Sequence, residues 1–302
     1  EMNRFITGNG GSCAVSTPTA NDTPEIVLAA LTAFIPPATP FVLTASATDP
    51  DGDVLAYSWE QFDSGFARPL IGPDAFDNGQ GALFRVFPPT IEPRRYFPRM
   101  SDILAGTPTA GEMLPTFPGA ERTFRAFVRD NNPLAGGVAV GSFATLTVPP
   151  GASPFAVTSP APNARVPGGP ATISWSVGGT NLAPISAASV VLELSADNGA
   201  TWPTTLGTFT NNGTATISLP AGIVSNARVR VLVPGRIFFN ISGRFRIGCP
   251  ADYNDDNAAD GDDVIAFFGL WDVSDPGADF NADGGVDGDD IIGFFGVWDG
   301  GC

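Results

Sequence analysis

Two hydrophobic periods divide the chain. Up to about residue 247, short runs alternate apolar and polar positions. In 123–129, Phe124, Ala126 and Val128 alternate with Thr123, Arg125, Phe127 and Arg129, the period of a strand with two different faces. Comparable runs occur at 26–34, 41–48, 54–61 and 138–148, then at 171–177, 189–196, 214–220, 227–233 and 236–247. Turn signals such as Gly178-Gly179, Asp197-Asn198-Gly199 and Asn211-Asn212-Gly213 punctuate them at the spacing of β-sandwiches. Beyond residue 249 the period becomes helical: Val264, Phe267, Phe268 and Trp271, and again Ile291, Phe294, Phe295 and Trp298, fall on one face. The expected architecture is mainly β, with two sandwiches over 21–149 and 154–247 and a small helical module over 249–302. Residues 1–20 read as a tail or linker that opens in a short helix-like segment, EMNRFIT. Pro149-Pro150-Gly151 is the expected linker between sandwiches. A Pro-rich insertion over about 62–120 is too long for a plain connection, so it is functional or serves as irregular cover on a sheet.

Composition sharpens this picture. The 36 Gly and 29 Pro of the 302 residues suit short strands and many turns. There is no His and no Lys; all 15 basic residues are Arg. A histidine zinc site, a Ser–His triad, a Schiff-base lysine and a Lys–Asn isopeptide bond are therefore excluded. Of the net charge of −16, residues 249–302 carry −14, from 14 Asp and no basic residue. Such a balance argues against nucleic acid as a partner, because phosphate binding needs a basic face, and it favours a bound cation. No apolar run approaches the length of a membrane span, so no membrane insertion is expected. The three cysteines suit an oxidising compartment. Cys249 and Cys302 bracket the acidic module and are the expected disulfide, a clasp for a unit too small to be stable without help. Cys13 is left over.

The acidic module states one sentence twice. Residues 251–272 and 278–299 align without a gap at 14 of 22 positions, offset by 27. Oxygen side chains fall at positions 1, 3, 5, 9 and 12 of a twelve-residue loop: Asp252, Asn254, Asp256, Asp260 and Asp263, then Asp279, Asn281, Asp283, Asp287 and Asp290. Position 7 adds a backbone carbonyl, from Ala258 and Gly285. This spacing wraps a loop around Ca²⁺, a hard cation that takes about six to eight oxygens, so two Ca²⁺ ions are expected. The sharp turn at position 6 falls on Asn257 and Gly284.

An EF-hand needs a helix entering each loop, whereas here Gly248-Cys249-Pro250 and Asp275-Pro276-Gly277 are helix breakers. A tandem of loop-then-helix units resembles a type I dockerin, and the Gly-Cys ending resembles a variant on bacterial surface or secreted proteins. The resemblance implies a protein partner, cohesin-like or another surface component. It assigns contacts to loop positions 10 and 11, here Gly261, Asp262, Gly288 and Asp289, and to the exit helices.

Elsewhere, Asp49, Asp51 and Asp53 in ATDPDGDVLAYSW resemble the turn of PKD-like and cadherin-like sandwiches, a possible further Ca²⁺ site as well as good turn chemistry. Both sandwiches are thus expected to be Ig-like or PKD-like. Residues 195–202 match an Asp-box hairpin, a structural motif. Arg94, Arg95 and Arg99 around Tyr96 and Phe97 are expected to pair with loop acids and lie flat on aromatic rings. Glu60 and Asp130 have no neighbouring acid in the sequence to complete a glycosidase pair. Segments including FVLTASATDPDGDVLAYSWEQFD, RRYFPRMSDIL and RIFFNISGRFRI make residues 1–247 similar to the region following the catalytic domain in bacterial reprolysin-type zinc metallopeptidases. That resemblance implies a non-catalytic remainder, with any protease domain upstream of Glu1. The expected function is a non-enzymatic, Ca²⁺-stabilised extracellular or cell-surface protein with an attachment tail. The alternative is a structural subunit that binds copies of itself head to tail in a filament or surface layer.

Overall fold

The computed structural model describes residues 19–27, 31–65, 69, 71–72, 74–107, 109–133, 136–256, 258–281 and 283–300. The expected N-terminal helix, Cys13, residues 28–30 of the first expected strand, Asn257 and Cys302 lie outside them.

The first sandwich contains β1 (Glu25–Ile26), β2 (Leu31–Phe34), β3 (Phe41–Thr44), β4 (Ala47–Thr48), β5 (Ala56–Gln61), β6 (Arg94–Phe97), helix α1 (Met100–Ala105), β7 (Glu121–Arg129), β8 (Val138–Val140) and β9 (Ala144–Thr147). Its main sheet runs β2-β9-β7-β5, with β8 on β7, and β1–β4 and β3–β6 are separate pairs. β7 alternates as expected: Phe124, Ala126 and Val128 are fully buried. The runs at 41–48 and 138–148 each break into two strands. β3 pairs with β6 while β4 pairs with β1, so one apolar run serves two sheets.

The insertion is cover. It contributes β6, α1 and the buried Leu83, Phe84 and Phe97. Phe97 stacks on Phe41 at 4.8 Å and meets Phe84 and Phe124 edge-on at 5.0 Å each. Two buried ion pairs anchor it. Arg122, on the inward face of β7, pairs with Asp77, which also accepts from the backbone N–H of Gly79, Thr116 and Phe117. Arg95 pairs with Glu112 at 2.8 Å.

The second sandwich contains β10 (Ala156–Ser159), β11 (Arg165–Val166), β12 (Gly169–Ser176), β13 (Ser189–Ser195), β14 (Thr204–Thr210), β15 (Thr214–Leu219), β16 (Val224–Leu232), β17 (Phe239–Ile241) and β18 (Phe245–Ile247). One sheet runs β10-β12-β15 and the other β11-β18-β16-β13-β14, with β17 on β16. Ile173 and Trp175 of the first face Val190, Leu192, Val229 and Val231 of the second across one buried layer. Pro149-Pro150-Gly151 forms a turn, and the sandwiches do not hang from it. Val42 N–H donates to Ile237 at 2.8 Å and Phe239 N–H to Pro40 at 3.0 Å, so backbone pairing crosses between them. Their buried side chains form one continuous cluster, while the acidic module has its own.

Breaking a buried ion pair leaves an uncompensated charge, which costs about 3–5 kcal/mol. Asp77→Ala is expected to lower stability by that amount in urea titration. Burial raises the Asp77 pKa, but the three N–H donors and Arg122 outweigh it and hold the carboxyl below its usual value. Its contribution is therefore complete above the unfolded pKa of about 3.9 and is lost as pH falls through the lower folded value. Asp77→Ala should flatten that acid limb of the stability curve.

Candidate metal centres

The acidic module consists of two loop-and-helix units with matching caps. α2 (Gly261–Trp271) and α3 (Gly288–Trp298) follow the first and second loops. Among the described residues no α-helix enters either loop; a single 3-10 turn, Pro276–Ala278, precedes the second. The helices start at loop position 10 because position 9 is an N-cap. Asp260 Oδ1 accepts from Asp262 N–H at 2.9 Å, and Asp287 Oδ1 from Asp289 N–H at 3.0 Å. Asp263 and Asp290, three residues on, reach back to complete capping boxes.

The units pair about a pseudo-twofold axis. Phe267 and Phe294, the same position in each copy, stack at 4.4 Å with rings 1° from parallel, and both are fully buried. Trp271 Nε1 donates to the Asp287 carbonyl at 3.1 Å, and Trp298 Nε1 to the Asp260 carbonyl at 3.0 Å. Each helix thus ends on the opposite loop. Val264, Phe268, Ile291 and Phe295 pack around this core, as their spacing predicts.

The predicted ligand positions repeat the same bonds. Asp263 Oδ1 accepts from Tyr253 and Asn254 N–H at 2.7 and 3.0 Å, and Oδ2 from Asp260 N–H at 2.8 Å. Asp290 does the same with Phe280, Asn281 and Asp287 at 2.7, 3.1 and 2.8 Å. Asp252 and Asp279 accept from the N–H of Asp256 and Asp283, both at 3.1 Å. Asn254 and Asn281 donate to Asp256 and Asp283 at 3.0 and 3.1 Å. Asp256 and Asp283 also accept from Ala258 and Gly285 N–H, each at 2.8 Å. Asp252, Asp263 and Asp290 are buried, whereas Asn254, Asp256, Asp260, Asn281, Asp283 and Asp287 are exposed. Gly284 has φ +93°, the turn expected at position 6.

The donor set fits a hard cation. Asp290 is 0 % exposed in a segment without any basic residue, and a buried charge is ordinarily paired or metal-bound. Asp263 and Asp290 each spend three of about four acceptor sites on these N–H groups, which leaves one on Oδ2 for coordination. Neither loop gathers its carboxylates as tightly as the first sandwich gathers Asp49, Asp51 and Asp53. Among the described residues that trio is the one group of three whose ligand atoms lie within 4.8 Å of one another. Asp49 Oδ1 accepts from Asp51 and Asp53 N–H, both at 3.0 Å, and its Oδ2 is buried with no hydrogen-bond partner. Asp51 accepts from Asp22 N–H at 2.6 Å and Asp53 from Asn132 Nδ2 at 2.8 Å.

Gly261, Asp262, Gly288 and Asp289 are all exposed in the first turns of α2 and α3. Ile265 and Ile292, one repeat apart, are 72 % and 70 % exposed beside them. Cys249 is a disulfide cysteine. Other motifs close on themselves. Asp197 accepts from Ser195 Oγ at 2.7 Å and Thr201 Oγ1 at 2.6 Å; those bonds hold its carboxyl at a pKa of about 2 in a self-contained hairpin. Arg95 and Arg99 lie 4.8 and 4.5 Å from the Phe87 ring while pairing with Glu112 and Asp102. Asp130 is buried in a turn, accepting from Gly137 N–H and Asn21 Nδ2. The capping boxes were legible in Asp260-Gly-Asp-Asp263 and its repeat but are not among the features the ligand spacing singles out.

No family model and no curated protein matches this sequence. Similar solved structures include the N-terminal four Ig domains of Dscam1 isoform 8.4, at 13 % identity, covering 76 % of this chain and 48 % of that one, with TM-score 0.23. The Ig1-2 module of the Drosophila receptor protein tyrosine phosphatase DLAR shares 8 % identity over 75 % of this chain and 98 % of that one, TM-score 0.35. The FN1-FN3 domains of chicken CNTN1 share 10 % over 74 % and 68 %, TM-score 0.26. The chain thus spans about half the length of the Dscam1 structure. The strand pairing described above defines the fold.

The two cap acids have unequal burdens. Asp263 accepts from three N–H groups while fully buried, whereas Asp260 caps the first turn of its helix from the surface. Asp263→Ala should cost the module about 2–3 kcal/mol and Asp260→Ala about 1 kcal/mol. Unfolding followed by the near-ultraviolet dichroism of Trp271 and Trp298 checks the order; equal costs would contradict the assignment.

Proposed function

We propose that this chain is the non-catalytic, Ca²⁺-stabilised part of an extracellular or cell-surface protein, ending in a dockerin-like attachment module. The observation that carries the reading is the pair Asp263 and Asp290. Each is fully buried at the same place in a repeated acidic loop; Arg165 of the second sandwich acts on Asp263, and the segment carrying both loops holds no basic residue of its own. Asp252, Asn254, Asp256, Asp260 and Asp263 with the Ala258 carbonyl would hold one Ca²⁺. Asp279, Asn281, Asp283, Asp287 and Asp290 with the Gly285 carbonyl would hold the other. The ions would supply cross-linking charge, tightening each loop against its helix, and no reaction chemistry. Gly261, Asp262, Ile265 and their repeats would then face a protein partner. Asp49, Asp51 and Asp53 are a third candidate cation site. Among the described residues no helix is long and apolar enough to cross a membrane.

A filament subunit is the second reading. It is favoured by β14, seven residues closing one end of its sheet, whose outer edge pairs with no other strand among the described residues.

Calorimetry should count at least two Ca²⁺ per chain, and Asp252→Ala and Asp279→Ala should each remove one. Saturating Ca²⁺ at about 100-fold its dissociation constant should stabilise the module by about 2.7 kcal/mol per site. Finding no bound Ca²⁺ would overturn the reading. Capture by immobilised cohesins supports attachment, whereas fibres in negative stain that dissolve with chelator support the filament.

A further inference from the structure

The two copies of the repeat are alike in fold and unlike in surroundings. Gly248 alone separates the end of β18 from Cys249, so the module sits on a very short tether. On the sandwich side, Arg165 of β11 and Arg246 of β18 are register partners in a parallel pair, which sets two guanidinium groups side by side. The first loop meets them. Arg165 Nη1 donates to the Asp252 carbonyl at 2.7 Å, and its guanidinium lies 3.8 Å from the centre of the Tyr253 ring. Asp255 forms an ion pair with Arg246, and its other oxygen is 3.9 Å from Arg165 Nη1.

Asp255 occupies loop position 4, between the proposed ligands Asn254 and Asp256, in a left-handed conformation with φ +61°. It is not itself at a ligand position. The second copy has Phe280 in place of Tyr253 and Ala282 in place of Asp255. Only eight of the 22 aligned positions differ, and two of those eight are the side chains that meet the arginine pair.

We propose that the copies have divided their labour. The first is a docking key that fixes the module to the arginine face of the second sandwich, through Asp255 and Tyr253. The second copy lacks the key, so the module is held in one orientation and the pseudo-twofold is broken. The sandwich face is thus a receptor for an acidic, aromatic loop of its own chain. This docking goes beyond the calcium reading and does not require the loops to hold Ca²⁺.

The test uses the full chain with Asp255→Ala, which installs the residue the second copy carries, and separately Arg246→Glu. Both should increase the radius of gyration in small-angle scattering. Both should also make the Gly248–Pro250 joint at least tenfold more sensitive to limited proteolysis, and raising salt should mimic them in the wild type. The charge exchange Arg246→Asp with Asp255→Arg should restore the compact, resistant form. Calcium counted on the same variants keeps the two readings apart: unchanged binding with a loosened joint supports the key. Variants as compact and as resistant as the wild type would overturn it, whatever their calcium content. Failure of the exchange to restore what the single changes lose would overturn it as well.

Discussion

A carboxylate removed from water must meet something that replaces the water, and this chain is arranged around that constraint. In the sandwiches the partner for Asp77 and Glu112 is an arginine from the same chain. Both pairs bind the Pro-rich insertion to the sheet it covers. Asp290 is held by backbone N–H groups instead, and Asp130 by N–H groups of the backbone and of Asn21. Both lie where further acids crowd. Asp290 shares its loop with Asp279, Asp283 and Asp287; Asp130 is linked through Asn132 to the side of Asp53. Two solutions to one problem therefore coexist: a guanidinium joined by backbone N–H groups at Asp77 and Glu112, and N–H groups without an ion pair at Asp290 and Asp130.

The second solution is the one that leaves a place for a cation. An arginine consumes the negative charge it neutralises. N–H donors satisfy lone pairs while leaving a net charge, and in the acidic module the charges come at ligand spacing. Capping and the proposed coordination would then use the same residues. Asp260 and Asp287 start the helices, and Asp263 and Asp290 lock the loops to those starts. A cation in the loop would act on groups the fold already holds near their places, with little ordering left to be done.

The legible parts of this structure were those where a local period carried the information. β7 and the two exit helices were plain because one apolar stripe fixes each of them. β14 was not, since Thr204–Thr210 has few strong apolar positions and contains Gly207 with φ +146° beside a register shift in its partner strand. Nor were β6 and α1, whose buried Phe97 is surrounded in sequence by Pro and Arg. Arg122 is a sharper case. It extends the inward stripe of β7 to a residue that reads as surface, and its partner lies 45 positions earlier. No period reports a pair so far apart. At the candidate site the ligand spacing was legible, while the tighter clustering of Asp49, Asp51 and Asp53 depends on how one turn folds.

The eight differences between the repeat copies hold information that the fourteen identities cannot. Identity at the loop positions reports what both copies do, and it says nothing about which copy faces the sandwich. Tyr253 and Asp255 meet Arg165 and Arg246, which arrive from strands on either side of the second sandwich's long central segment. Exact symmetry would give the sandwich two equivalent loops to choose between, and therefore two orientations of similar energy. Two differences that meet the arginine pair remove that degeneracy, while Tyr253 also packs edge-on against Phe267 and Phe294, whose stack holds the units together.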